Sequence, residues 1–126
     1  MADAFKDSLN NNPNYKESAI DWEGALIIEF KSEDERLTHD AFLWLDLHHG
    51  VCRGARFLDN KDDAAHDYVI SASEIYWYDL INGKVAPAGA LMSGKIKIEG
   101  NMSKLMRYMK AAAYIFKYLK RHLKNW

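Results

Sequence analysis

Hydrophobic and polar residues change their period several times along this chain. Leu26, Ile28 and Phe30 alternate with Ala25, Glu29 and Lys31 around a central Ile27, which predicts a first strand with one face buried. From Ala41 onward, Leu43, Leu45 and Leu47 share one face while Phe42, Trp44, Asp46 and His48 share the other, a second strand. His49-Gly50 makes a tight connection into a third strand, Val51 to Leu58, where the odd spacing of Arg53 and Arg56 marks a bulge. These three form an antiparallel meander. The polar stretch Asp59 to Asp63 ends it, and Tyr68-Val69-Ile70 gives a short fourth strand that calls for a crossover. Ile96 and Ile98 alternate with Lys95, Lys97 and Glu99 between Gly94 and Gly100, the fifth strand.

Helical spacing fills the remainder. Residues 3–9 place Phe5 and Leu9 on one side of a short helix, and Asn12-Pro13 reads as an N-cap followed by proline at the first helical position, so a second helix should run from Pro13 to Asp21. Ser71 precedes Glu74 by three, the spacing of a capping box, which predicts a helix from about Ala72 to Asn82 with Trp77, Leu80 and Ile81 on one face. Ala88 to Met92 makes one more helical turn. Asn101 then caps a long helix, because no glycine or proline follows it. Its stripe is Met102, Leu105, Met106, Met109, Ala112, Ala113, Phe116, Leu119 and Leu123. The expected architecture is α+β: a five-stranded, mostly antiparallel sheet with helices covering one face and a long C-terminal helix closing it.

Composition narrows the class. With 126 residues, 48% hydrophobic and 28% charged, the chain is the size of one ordinary soluble domain. No apolar run approaches the ~18 residues of a membrane span. The start, Met1-Ala2-Asp3-Ala4-Phe5-Lys6-Asp7, lacks the basic and apolar blocks of a secretory signal, which predicts a cytoplasmic chain. Cys52 is the single cysteine, so an intrachain disulfide is excluded. Charge is uneven. Residues 95–126 hold nine Lys or Arg and one acid, a balance of +8, while the other 94 residues balance at −9. A basic arm on an acidic body suits either an anionic surface or a helix packed on its own acidic domain.

Candidate chemistry changes the picture little. There is no nucleophile elbow, phosphate-binding glycine loop or HExxH helix, so no catalytic residues are assigned. Asp46 and His48 lie two apart on one strand face beside His49, but without a third ligand at a recognisable spacing they read as surface groups at a turn, and no metal is assigned. What stands out is apolar capacity. Trp77, Leu91, Met92, Met102, Leu105, Met106 and Met109 are large, and the methionines are unbranched and adaptable, a set suited either to a plain core or to a cavity between sheet and helices.

The run Gly94-Lys95-Ile96-Lys97-Ile98-Glu99-Gly100-Asn101, followed by Leu105 and Met109, resembles the most recognisable segment of the sterol carrier protein type-two family, the non-specific lipid-transfer proteins. Asp67 to Ser73 with Trp77, then Gly83 to Pro87, Ala90 and Gly94, are similar to the family's fourth strand, its following helix and the approach to the last strand. Asn12-Pro13 and Trp22-Glu23-Gly24 are similar to the opening of small free-standing bacterial members. Ala86-Pro87 stands where the family has Asp-Pro, the last helix is longer and more basic, and Lys124-Asn125-Trp126 differs from a peroxisomal Ser-Lys-Leu address.

The resemblance implies one such domain over residues 1–126 and a non-enzymatic carrier without a cofactor. It implies an apolar tunnel for a fatty acid, acyl-CoA, phospholipid or sterol, with the seven residues from Trp77 to Met109 as its expected lining. A carrier should show an apolar void of roughly 300 Å³ or more. Lys117, Lys120, Arg121 and Lys124, set among amphipathic aromatics that include Tyr118, are expected to touch an anionic membrane. No nucleic-acid partner is expected, and the oligomeric state is not set by these residues. The alternative is a non-catalytic interaction module that docks through the basic C-terminal helix.

Overall fold

The computed structural model describes residues 2–33 and 39–122, apart from the side chains of residues 87, 88 and 91. Two helices, α1 (Ala2–Asn10) and α2 (Pro13–Ser18), precede strands β1 (Glu23–Lys31), β2 (Ala41–His48) and β3 (Val51–Leu58). A 3-10 turn, Lys61–Asp63, leads to β4 (Tyr68–Ser73), α3 (Glu74–Ile81), α4 (Pro87–Met92), β5 (Lys97–Glu99), α5 (Met102–Met106) and α6 (Met109–His122). The sheet order is β3-β2-β1-β4-β5. The meander pairs antiparallel, β4 runs parallel to β1 as the crossover requires, and β5 closes the edge antiparallel to β4. The bulge falls in the β2–β3 pairing, where the register shifts between Asp46 and Leu47.

Period two decides which face is buried. Leu26, Ile28 and Phe30 of β1, Leu43, Leu45 and Leu47 of β2 and Ile70 of β4 form one core with Phe5, Leu9, Tyr15, Trp77, Leu80, Ile115 and Leu119 from the helices. Ile27 and Val69, register partners on β1 and β4, are buried but stand outside that cluster, as alternation demands. Next to Ile27 on β2, Trp44 donates its indole N–H to Ala65 O at 3.0 Å, and Arg56 lies 5.2 Å over its ring.

Three expected boundaries shift. The second helix ends at Ser18 rather than Asp21, with Ala19 as its C-cap. The third helix starts two residues late, because Ser71 is a buried ladder residue paired with Glu29 and Lys97; the cap is Ser73, whose hydroxyl accepts from Tyr76 N–H at 3.1 Å. β5 is only Lys97–Glu99, since Ile96 is buried yet outside the ladder.

The long last helix is two helices. Arg107 N–H reaches Lys104 O at 3.2 Å and Tyr108 N–H reaches Leu105 O at 3.0 Å, three-residue bonds that tighten the chain into a turn. Tyr108 thereby meets Trp22 edge to face at 5.0 Å. This break rotates the stripe. The buried residues of α6 are Ala111, Ile115, Tyr118 and Leu119, with Ala112 and Phe116 half-buried and Ala113 exposed. Tyr118, expected on the basic outer face, is instead buried and accepts a hydrogen bond from the Asn12 side chain at 2.9 Å.

Candidate functional site

The sheet's inward face and the helices above it leave an apolar cavity of about 60 Å³. Leu26 and Ile28 of β1, Leu47 of β2 and Ile70 of β4 supply the sheet side. Tyr15, Ala19 and Trp22 come from α2 and the segment after it, and Leu80 and Ile96 from the other flank. Leu105, Tyr108 and Met109 lie at the junction of α5 and α6, and Ala111, Ala112, Ile115 and Phe116 continue along α6. Two larger surface grooves, about 500 and 380 Å³, are lined by polar and charged groups such as Lys31, Lys97, Asp46 and Arg53. Chemistry rather than size singles out the smaller space.

The seven residues singled out from sequence are dispersed. Leu105 and Met109 line the cavity. Trp77 is fully buried one layer behind: its indole N–H donates to Glu29 O at 2.8 Å, and its ring lies 5.5 Å from Phe30 and 5.8 Å from the cavity residue Phe116. Met102 and Met106 are exposed, because α5 has only five residues and turns Leu105 inward. Met92 is 84% exposed at the end of α4. The side chain of Leu91 lies outside the described residues. Most of the wall was missed, including Leu26, Ile28, Tyr15 and Trp22; the inward positions of β1 and β2 carried the signal, since whatever a helix roof encloses on a sheet must face those residues.

Three contacts tie α5 and the turn after it to the entry of β1 beside the cavity. Tyr108 stacks edge-on against Trp22, the Lys104 ammonium lies 5.4 Å from the Trp22 ring centre, and the same ammonium donates to Glu23 O at 3.2 Å. Asn101 caps α5 by accepting from Lys104 N–H at 3.0 Å. Gly100, at φ +119°, permits the turn into α5; a Cβ there would fall 2.6 Å from the Tyr68 ring. No residue of α5 is buried, so little apolar packing holds it down.

Burial also sets the titration of Cys52 on β3 and Tyr15 on α2. The Cys52 thiol, whose N–H and C=O are both bonded by the Asn10 side chain, is pushed up to about 11 by desolvation, against a smaller opposing effect of its bond to Gly54 O. The Tyr15 phenol is pushed up by burial first and by Cys52 second.

Lys117, Lys120 and Arg121 are exposed on α6, with Lys117 and Arg121 lying 5.9 and 5.2 Å from the Tyr118 ring centre. Lys124 lies outside the described residues. Among the described residues, the salt bridges join Glu23 to His49, Asp46 to Arg53, Lys61 to Glu99 and Asp79 to Lys84, away from this basic face. No described helix is long and apolar enough to cross a membrane.

Similarity to known proteins follows the same geometry. The chain is similar to a crystal structure of sterol carrier protein 2, with 30% identity and a TM-score of 0.82 over 92% of this chain and 90% of that one. It is similar to a conserved hypothetical protein from Thermus thermophilus, with 30% identity and a TM-score of 0.80 over 94% and 82%. Sterol carrier protein 2 from Yarrowia lipolytica, at 20% identity and a TM-score of 0.60 over 92% and 86%, shares the fold. None of the curated proteins compared with the chain matches it. The model of the SCP-2 sterol transfer family matches residues 4–113, and the chain belongs to that family.

Proposed function

We propose that this protein is a non-enzymatic lipid carrier that takes an acyl chain or sterol-like ligand into the space between its sheet and α5–α6. The observation that carries the reading is the cavity, bounded by side chains from three strands and four helices and lined almost wholly by apolar groups. At about 60 Å³ it is far below the roughly 300 Å³ expected of a loaded carrier, so on this reading the space is in its closed form. An apolar void of this volume costs about 1.5 kcal/mol, which a ligand would recover by filling it. Enlargement falls to the half-buried wall at the α5–α6 turn, Leu105, Tyr108 and Met109, whose outward movement would leave the sheet side unchanged. Trp77 would support the Phe116 side of the cavity from behind, while Met92, Met102 and Met106 would lie outside it.

The basic face of α6 supports a second part of the proposal, reversible contact with an anionic membrane through Lys117, Lys120, Arg121 and Lys124. Four engaged residues at roughly 1 kcal/mol each suffice for docking but not for anchoring. The alternative, an interaction module docking through the same helix, draws on the small cavity. Native mass spectrometry of freshly purified protein separates the two. A carrier retains a lipid adduct that organic extraction removes, whereas a module shows the mass of the chain alone and no saturable binding of acyl probes.

A further inference from the structure

The β2–β3 hairpin turns at His49-Gly50 with both residues in the left-handed region, φ +49° and +80°, a type I′ turn. His49 is the one non-glycine residue with positive φ among the described residues, and it occupies a position where Asn is usual. Two contacts fix this turn. His49 N–H donates to Trp22 O at 2.7 Å, and Gly50 lies so close to α2 that a Cβ would fall 2.5 Å from Lys16 O. Glu23 on β1 is the register partner of His48 on β2. The fold thus sets three potential ligands on rigid backbone at one corner of the sheet.

Their side chains converge there. The rings of His48 and His49 lie parallel, 12° apart in tilt with centroids 4.2 Å apart, and the His49 ring N–H pairs with the Glu23 carboxylate. One ligand atom from each of Glu23, His48 and His49 lies within 4.8 Å of the others. An ion bonded at about 2.1 Å needs its ligand atoms roughly 3.4 Å apart, so atoms up to 4.8 Å apart must close by up to about 1.4 Å while the Glu23–His49 pair, at 2.5 Å, must part by about 1 Å. Glu23 and His49 are more than half exposed and free to rotate that far. Asp46, the carboxylate that sequence places beside His48, does not join them, because it is engaged by Arg53 at 3.1 Å.

The geometry points to a divalent transition-metal site formed by Glu23, His48 and His49. Two imidazoles and one carboxylate are a donor set for Zn²⁺, Ni²⁺ or Cu²⁺ rather than for Ca²⁺ or Mg²⁺, which require more oxygen ligands. Three protein ligands leave further positions of the ion to water. The Lys104 ammonium, which donates to Glu23 O, carries the same sign of charge as the ion and opposes its binding.

Isothermal titration of tag-free protein with ZnCl₂, and separately with CaCl₂, tests the site. One Zn²⁺ per chain should bind saturably, with no Ca²⁺ heat at the same concentrations. His49→Asn keeps the turn, since Asn-Gly is the favoured type I′ pair, and should weaken Zn²⁺ binding about tenfold or more, as should Glu23→Gln. Circular dichroism checks that both variants are folded. Failure of the parent to saturate below about 1 mM Zn²⁺, or unchanged affinity in both folded variants, would overturn the assignment and leave His39, His66 or His122 as the source of any heat.

Discussion

Trp22 and Tyr108 meet edge to face with ring centroids 5.0 Å apart, and both rings line the apolar cavity. The contact joins the entry to β1 with the turn between α5 and α6, and under the carrier proposal it would act as the catch on the wall formed by Leu105, Tyr108 and Met109. Replacing the ring by Tyr108→Ala should cost about 2 kcal/mol, from lost area and the aromatic pair. It should also speed the association of a fluorescent fatty acid in stopped flow. Tyr108→Phe keeps the ring and should behave as the parent. Equal association rates for Tyr108→Ala and parent would remove this wall as the entry.

Trp77 offers a different test, because its bond to Glu29 O is buried and links α3 to β1. Trp77→Phe leaves that carbonyl without its donor and opens a small void, so chemical denaturation should show a loss of about 2–4 kcal/mol. Zn²⁺ affinity should be unaffected, since the Glu23 corner is built by other contacts.

Alkaline stability follows from Cys52. Its folded thiol sits at about 11 against an ordinary 9.0, so the folded state holds the proton where the unfolded chain releases it. The stabilisation is complete below pH 9 and is lost as pH rises through 11, amounting to about 3 kcal/mol. Tyr15, shifted in the same direction, adds to the loss above pH 10. Urea melts at pH 8 and 10.5 should therefore differ, and Cys52→Ala should reduce the difference. A thiol reagent should react slowly with the native chain at neutral pH and rapidly once it is unfolded.

For the basic face of α6, the triple variant Lys117→Glu, Lys120→Glu, Arg121→Glu should lose the excess of anionic over neutral vesicle binding in a flotation assay at low salt, while keeping any bound lipid. Raising salt should weaken the parent in the same way, because exposed charges are screened over about 10 Å at 0.1 M. Equal flotation of variant and parent would reject docking through this helix.

How much of this could be read in advance depended on what made each element. Leu26, Ile28 and Phe30 announced β1 because one sheet face must be dry, and Tyr68 to Ile70 announced a fourth strand whose longer connection suggested a crossover. Ser73 was passed over for Ser71, whose spacing to Glu74 fits a capping box, but pairing with Glu29 and Lys97 keeps Ser71 in the strand. The break at Arg107 and Tyr108 had no glycine or proline to mark it; tertiary packing of Tyr108 on Trp22 overrode a continuous helical pattern. That unseen turn is why Met102 and Met106 fell outside the cavity while Leu105 and Met109 lined it. The metal corner was equally hidden, because Glu23 meets His48 and His49 only through strand register.

The central claim is that the space beneath α5–α6 opens to hold a lipid chain, and filling that space tests it most directly. Ala112 is half-buried on the cavity wall, and Ala112→Trp should occupy the space that a ligand needs. Titrated with a fluorescent fatty acid, the delipidated parent should bind saturably at one site per chain, and a folded Ala112→Trp variant should lose that binding. The absence of saturable binding in the parent across fatty acid, phospholipid and sterol probes, or full binding in the folded variant, would contradict the account.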